Sequence, residues 1–245
     1  MQNRMIGKML RNKKLVCFDL DGTLIDSVGI WNQVDAQLIQ ELSGCAADSA
    51  LIQQQRDMQL KNFKHCADPY LEYCGYLKAA YGIANLTKDE IKMRRYAAAQ
   101  HFLDNVIQLK PQAELFVQAL LRNGIQTAIA TTTSISNIRR YQQNNAKISS
   151  RLNFESDFGL ILTRENVQNI KPHPEVYLKA ARHFQLQPEE CLIIEDSIIG
   201  VEAGKQAGIE VVAIYDQYSA HELEEIKAKA DYFVQDYAEL LQQFS

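Results

Sequence analysis

Leu15-Val16-Cys17-Phe18-Asp19-Leu20-Asp21-Gly22-Thr23-Leu24-Ile25-Asp26-Ser27 is the stretch of this 245-residue chain on which the reading of the fold turns. Four apolar residues run straight into an acid, the pattern of a strand buried on both faces of a parallel sheet and ending abruptly at its carboxyl edge. In extended chain, side chains two residues apart face the same way, which predicts that Asp19 and Asp21 project into one small volume. Two like charges there repel unless something positive intervenes, and a hard cation with oxygen ligands satisfies them. Gly22 lets the backbone turn tightly beside whatever is bound. An Asp-Gly dipeptide alone is also an ordinary turn. The preceding strand, the following Leu24-Ile25 and the polar pair Asp26-Ser27 favour a site over a turn.

Other apolar runs end in the same way. Ile125–Ala130 precedes Thr131, Leu192–Ile194 precedes Glu195-Asp196, and Glu210–Ile214 is a further candidate strand. Helical stretches lie between them. Pro111 is expected to open one in its first turn and Gly124 to close it, and Pro174 to start another that runs to Phe184. Ser197 reads as the N-cap of a helix that Gly208 ends. Strand and helix alternating in this way predict βαβ units, hence an α/β fold built on a doubly wound parallel sheet with helices on both faces. Three strands then deliver polar residues at their carboxyl ends, where open α/β sheets bind ligands.

Residues 28–108 break the rhythm, with helical periodicity and no strand signal. Ile30, Trp31, Val34, Leu38 and Leu42 trace one helical face, and Thr87-Lys88-Asp89-Glu90 has the spacing of a capping box ahead of Ile91, Tyr96 and Phe102. An all-helical insertion is the simplest account. The domain expectation is therefore an α/β core of residues 1–27 and 109–245, with a smaller all-helical cap of residues 28–108. Gln53–Gln55 and Gln242-Gln243 read as solvated helix surface.

Composition excludes several classes. A net charge of −4 with 47% hydrophobic and 23% charged residues describes an ordinary globular chain with no global attraction to nucleic acid or to an anionic membrane. No run is long enough to span a bilayer. Cys17, Cys45, Cys66, Cys74 and Cys191 are odd in number and form no CxxC pair, which points away from a disulfide framework or a zinc site and towards a reducing cytosol. Residues 1–14 are basic but too sparsely apolar for a signal-peptide core. Met5, Ile6, Met9 and Leu10 could form a short amphipathic turn, although a frayed basic extension is the plainer expectation.

The remaining motifs each have a bland reading beside the functional one. Thr131-Thr132-Thr133-Ser134 would aim a hydroxyl and backbone N–H groups at an anion, or simply cap a helix. Lys171-Pro172-His173-Pro174 fixes a lysine in a stiff loop ahead of a helix, where a lysine alone would face solvent, and His173 reads as a loop residue rather than a catalyst. Glu195-Asp196 could reflect no more than the preference of a helix start for acids. The small residues that follow, Gly200, Ala203, Gly204 and Ala207, read as close packing on the sheet.

Taken together, the four clusters gather carboxylates, a lysine and anion-binding N–H groups at one sheet edge. Their order and spacing resemble the haloacid-dehalogenase-like (HAD) superfamily from about Lys14 onward, in four motifs: Asp19-Leu20-Asp21-Gly22-Thr23, Thr131, Lys171 and Glu195-Asp196. The place of the insertion, Lys171-Pro172-x-Pro174-Glu175 and Glu195-Asp196-Ser197-x-x-Gly200 resemble its helical-cap branch, that of phosphoglycolate phosphatase and β-phosphoglucomutase. The resemblance implies a Rossmann-like core and a Mg2+-dependent phosphatase of a small phosphorylated metabolite. Asp19 would be the nucleophile that forms an aspartyl-phosphate, and Asp21 the general acid and then base. Thr131 and Thr132 with nearby N–H groups would hold the phosphoryl oxygens, and Lys171 would neutralise charge on Asp19 and on the transferring group. Asp19, the backbone carbonyl of Asp21, and Asp196 would hold magnesium, with Glu195 nearby or acting through water.

Dehalogenases and phosphonate hydrolases of the superfamily lack the second aspartate of the first motif, so Asp21 argues against both. A sugar phosphomutase of the β-phosphoglucomutase type keeps it but usually carries a cap histidine near the position of Trp31. A phosphate-binding regulatory module without turnover would have no insertion as long as residues 28–108. Trp31, Asn32 and Asp35 are expected to face the substrate, with core packing the plainer reading for Trp31.

Overall fold

The structure, a computed structural model, describes residues 9–244. It divides into two compact units, one comprising the chain up to Asp26 and from Ile107 onward, the other Ser27–Val106.

The larger unit is built on six strands: β1 (Leu15–Phe18), β2 (Gln126–Ala130), β3 (Leu160–Leu162), β4 (Cys191–Glu195), β5 (Glu210–Ile214) and β6 (Tyr232–Val234). They form one parallel sheet in the order β3-β2-β1-β4-β5-β6. The chain builds outward from β1 to β3, returns to lay β4 on the other side of β1, and builds outward again. The topological switch point therefore lies between β1 and β4, where crevices open at the carboxyl ends of strands. Phe18 is in register with Ile129 on one side and Ile194 on the other. The Asp19 N–H donates to the Ile194 carbonyl at 3.0 Å, so the residues after β1, β2 and β4 emerge side by side.

The smaller unit holds α1 (Val28–Ser43), α2 (Ser49–Asn62), α3 (Pro69–Ala80) and α4 (Lys88–Asn105). Asp68 caps α3 by accepting from the Leu71 N–H at 3.0 Å, and the Thr87/Glu90 capping box opens α4 as the spacing predicts. Leu38, Ile39, Ile52, Tyr73, Cys74, Leu77 and Ile91 form its apolar core. The buried face of α1 is rotated from the expected one and takes in Asn32 and Asp35 beside Val34 and Leu38. Asp35 accepts from Arg95, from Arg56 at 3.1 Å and from the Tyr73 hydroxyl at 3.1 Å. Arg56 also donates to Asn32 at 2.7 Å, and Asn32 in turn to Gln53 at 2.8 Å.

Three expectations change here. Asn32 and Asp35 are spent on this internal network rather than turned towards a ligand, and Gln53 is buried rather than solvated. The reason is electrostatic: a desolvated carboxylate is tolerable only when guanidiniums and hydroxyls surround it, and the amides absorb the donors left over. Trp31 packs as the plainer reading has it, 4.6 Å from the Arg95 guanidinium carbon and edge-on to Tyr96.

Helices flank both faces of the sheet: α5 (Ala113–Arg122), α6 (Ile135–Asn144), α7 (Ala146–Ser149), α8 (Glu175–His183), α9 (Ile198–Gln206), α10 (Leu223–Lys229) and α11 (Tyr237–Leu241). Leu15 and Cys17 face the layer that contains Tyr177, Ala180, Val201 and Ala203 of α8 and α9. Phe18, on the opposite face, meets Phe116 of α5 and Phe158 edge-on. Burial on both sides explains why β1 is apolar without alternation. A Cβ on Gly204 would stand 2.5 Å from Val211, which bears out the close packing read for that glycine.

Several boundaries differ from the sequence reading. Pro111 lies before the N-cap of α5, because the Lys110 N–H is tied to the Leu24 carbonyl at 2.9 Å and the helix starts only after Gln112, at φ +67°. Pro174 is the N-cap of α8 rather than a residue of its first turn. The edge strands β3 and β6, of three residues each, are too short to show a period. Met5 and Ile6 lie outside the described residues. The basic extension is anchored from Met9, which is 1% exposed; Lys13 pairs with Glu210 at 2.6 Å and Lys14 with Glu190 at 2.6 Å.

Burial alone would raise the Asp35 carboxyl, but Arg95 and Arg56 outweigh it and hold the group below its ordinary value. A carboxylate depressed in the folded state contributes stability that is complete at neutral pH and is lost as pH falls below about 4. Asp35→Ala is expected to cost the helical unit about 3–5 kcal/mol by leaving two guanidiniums buried without a carboxylate. Urea unfolding followed by fluorescence of Trp31, the sole tryptophan, measures both effects, and Asp35→Asn should shrink the acid limb, leaving the part that Glu90 carries.

Candidate active site

Asp19 follows the last residue of β1 and is 8% exposed. Lys171 reaches it from the loop ahead of α8: Nζ donates to Asp19 Oδ1 at 2.6 Å and to Glu195 Oε1, at the end of β4, at 2.6 Å. Lys171 is itself 4% exposed, so the plain reading of a solvent-facing loop lysine does not hold. A desolvated ammonium between two carboxylates explains why. Burial works against its charge, but Asp19 and Glu195 prevail and raise its pKa above the ordinary lysine value.

Glu195 is saturated with donors. Beside Lys171, Oε1 accepts the Tyr177 hydroxyl at 2.9 Å, while Oε2 accepts the Asp196 N–H at 3.0 Å, the Ser197 N–H at 3.2 Å and the Ser197 hydroxyl at 3.1 Å. These donors use the whole of a carboxylate's accepting capacity. Gly200 makes room for it, since a Cβ there would stand 1.7 Å from Glu195 Oε1. Asp196 accepts from the Thr23 hydroxyl at 2.8 Å and from Ser219 at 3.4 Å. Gly22 takes φ +89°, and a Cβ there would come within 2.3 Å of Asp196 Oδ2, so both the turn and the close approach require glycine.

Asp21 is held differently from Asp19. β1 ends at Phe18, so strand alternation does not govern the two side chains. Asp21 Oδ2 accepts from the Thr133 hydroxyl at 2.7 Å, which ties the first loop to the loop after β2. Its charge still reaches Asp19. Thr131, 2% exposed, follows β2 and accepts the Thr133 N–H at 3.0 Å; Thr132 is half-buried beside it. Ser134 caps α6 by accepting from the Asn137 N–H, so the capping reading holds for that residue. His173 is exposed in its loop.

Asp19, Glu195 and Asp196 each offer an oxygen within 4.8 Å of the others, all buried. Burial pushes the Asp19 carboxyl up to about 7, against the pull of Lys171 and with Glu195 and Asp21 adding to the rise. Burial likewise drives Asp196 well above its ordinary value, reinforced by Glu195, Asp19 and Asp216. Lys171 pairs with Asp19 and Glu195 only, so the three carboxylates leave negative charge in excess, and the oxygens of Asp19 and Asp196 suit a hard divalent cation. The arrangement offers a buried carboxylate with a cation against it, a second carboxylate held by a hydroxyl, and a threonine-lined loop.

Nothing in the local sequence singles out Tyr177, Ser219 or the separate role of Gly200. Tyr177 shares a short segment with Lys171, but nothing in a local pattern distinguishes an aromatic that packs from one that also donates to a distant carboxylate.

The haloacid dehalogenase-like hydrolase family matches residues 13–208. The bifunctional riboflavin kinase/FMN phosphatase of Arabidopsis thaliana is 33% identical over 126 residues, 51% of this chain and 31% of that protein. The phosphoglycolate phosphatase of Aquifex aeolicus is 29% identical over 200 residues, 80% of this chain and 81% of that protein. The chain spans between 31% and 61% of the length of the first three curated relatives it matches. The crystal structure of CbbY from Rhodobacter sphaeroides in complex with phosphate superposes with a TM-score of 0.72 at 24% identity, over 93% of this chain and 96% of that one, a likeness of fold.

Gly200→Ala is expected to force Glu195 aside and to destabilise the protein by about 1–3 kcal/mol through overpacking. Chemical denaturation measures the loss. Gly44→Ala, where no atom lies within 4 Å of the added carbon, should cost only the strain of a positive φ.

Proposed function

The chain belongs to the haloacid dehalogenase-like hydrolases, and on that premise we propose that it is a magnesium-dependent phosphatase of a small phosphorylated metabolite, acting through an aspartyl-phosphate on Asp19. The observation that carries the reading is the Lys171 ammonium, 2.6 Å from both Asp19 and Glu195 in a buried acidic cluster. A carboxylate clamped in this way is aimed, and a cation already in place meets the charge of an incoming phosphoryl group. The Arabidopsis and Aquifex relatives, named for FMN and phosphoglycolate as phosphatases, favour hydrolysis of phosphate monoesters.

In the first step an Asp19 carboxylate oxygen attacks phosphorus in line, the bond from phosphorus to the leaving oxygen breaks, and Asp21 gives that oxygen its proton. Water then attacks the phosphorus of the aspartyl ester, Asp21 takes the proton from water, and inorganic phosphate leaves with Asp19 restored. Thr131, Thr132 and the backbone N–H groups of their loop orient the phosphoryl oxygens. Lys171 balances the charge that builds on them. Asp19, the Asp21 carbonyl and Asp196 would hold Mg2+, with Glu195 behind them as the partner of Lys171; bound there, the ion neutralises the carboxylates and polarises the phosphoryl group.

Asp19→Asn should lower phosphate release from the best substrate in a panel of phosphorylated metabolites by about a thousandfold or more, and a chelator should silence the wild type until Mg2+ returns. Turnover unchanged in Asp19→Asn would rule the mechanism out. Accumulation of an isomeric sugar phosphate in place of free phosphate would mark a mutase, the reading that Trp31 disfavours.

A further inference from the structure

Lys171 is held by more than its two carboxylates. Its nitrogen lies 5.0 Å from the centre of the Tyr177 ring, and the Tyr177 hydroxyl donates to the same Glu195 oxygen that takes Lys171. One side chain thus touches both members of the ion pair, the cation with its π face and the anion with its O–H. Tyr177 is fully buried, so no bulk water competes for either contact.

The segment between them is short and clamped at its other end. The Glu175 carboxylate accepts the backbone N–H groups of Gln168 at 3.0 Å and Asn169 at 2.9 Å, fastening the loop before Lys171 to the start of α8. Tyr177, two residues further on, fastens it from inside. A core position on α8 needs an aromatic ring for packing but no hydroxyl, and a buried phenol is costly unless it finds a partner. Its partner here is the carboxylate that sets the position of the lysine. Burial raises the phenol well above its ordinary pKa, with the charges of Glu195 and Asp19 adding to the effect, so it stays a neutral donor.

We propose, resting on the phosphatase reading above, that Tyr177 is a positioning residue whose hydroxyl shares Glu195 Oε1 with Lys171 and so keeps the ammonium placed on Asp19 and on the phosphoryl group it receives. Without that hydroxyl, Glu195 Oε1 has one donor fewer and draws the ammonium more strongly to itself, away from Asp19. The loss falls on the transition state, where charge on the transferring group is greatest, and not on the binding of substrate.

Tyr177→Phe keeps the ring and removes the hydroxyl. With p-nitrophenyl phosphate and Mg2+, kcat is expected to fall about tenfold, equivalent to about 1.4 kcal/mol, while KM stays within about twofold. Unchanged kcat in the folded variant would overturn the proposal. In a cycle with Glu195→Gln, Tyr177→Phe should cause little further loss; an equal loss in both backgrounds would show that Tyr177 acts elsewhere, and would overturn it too. Ala180→Gly, a packing change on the same helix, should lower the melting temperature and leave kcat intact.

A second readout needs no turnover. In 15N-lysine NMR the buried Lys171 ammonium of the wild type should exchange its protons slowly, and in Tyr177→Phe several-fold faster. Equal exchange in the two proteins would sink the positioning role. A wild type that hydrolyses no phosphate ester would instead count against the phosphatase reading, with the exchange rates still deciding the place of Tyr177.

Discussion

Lys171 between Asp19 and Glu195 is the interaction on which the rest of the large unit depends. A buried ammonium is untenable alone, and so are two buried carboxylates at the ends of adjacent strands. Together they satisfy each other, but only if three pieces of chain distant in sequence are brought to one place. The parallel register of β1 with β4 supplies two of them, and the clamped loop before α8 supplies the third. Desolvation, which makes such a pair costly, also makes it effective, because a charge held out of water acts on its neighbours with little screening.

The acids around it follow from the same constraint. Glu195 spends its oxygens on Lys171, Tyr177, Ser197 and backbone N–H groups, and that leaves it as an anchor. Burial raises the pKa values of Asp19 and Asp196, and the neighbouring carboxylates, which one lysine cannot neutralise, add to the rise. The surplus negative charge is the physical case for a divalent cation, independent of any resemblance. Glycines at 22 and 200 allow the backbone to approach these carboxylates more closely than any other residue would.

The smaller unit meets a similar problem among its own helices. Asp35 sits among Arg95, Arg56 and Tyr73, with Asn32 and Gln53 completing the ring of donors and acceptors. Helical periodicity in this stretch is plain, since Val34 and Leu38 mark a buried face and Thr87 with Glu90 marks a helix start. The polar residues within that face could not be placed from spacing. Asn32 and Asp35 read one at a time as groups facing a substrate, and Gln53 as solvated surface; all three become interior groups only when paired across helices.

Legible in the residues alone are the strands that carry the site, the parallel sheet, the helical character of residues 28–108 and the four polar clusters at Asp19, Thr131, Lys171 and Glu195. Each of these is a local matter: apolar runs that stop at a polar residue, caps, and prolines or glycines that punctuate them. Tertiary structure alone decided what each side chain is paired with: Lys171 buried instead of solvated, Asp21 held by Thr133 across two loops, Tyr177 donating to Glu195, and Asp35 consumed inside its own unit. The reason is that burial and charge pairing depend on groups remote in the chain, and a residue's own neighbours carry no record of them.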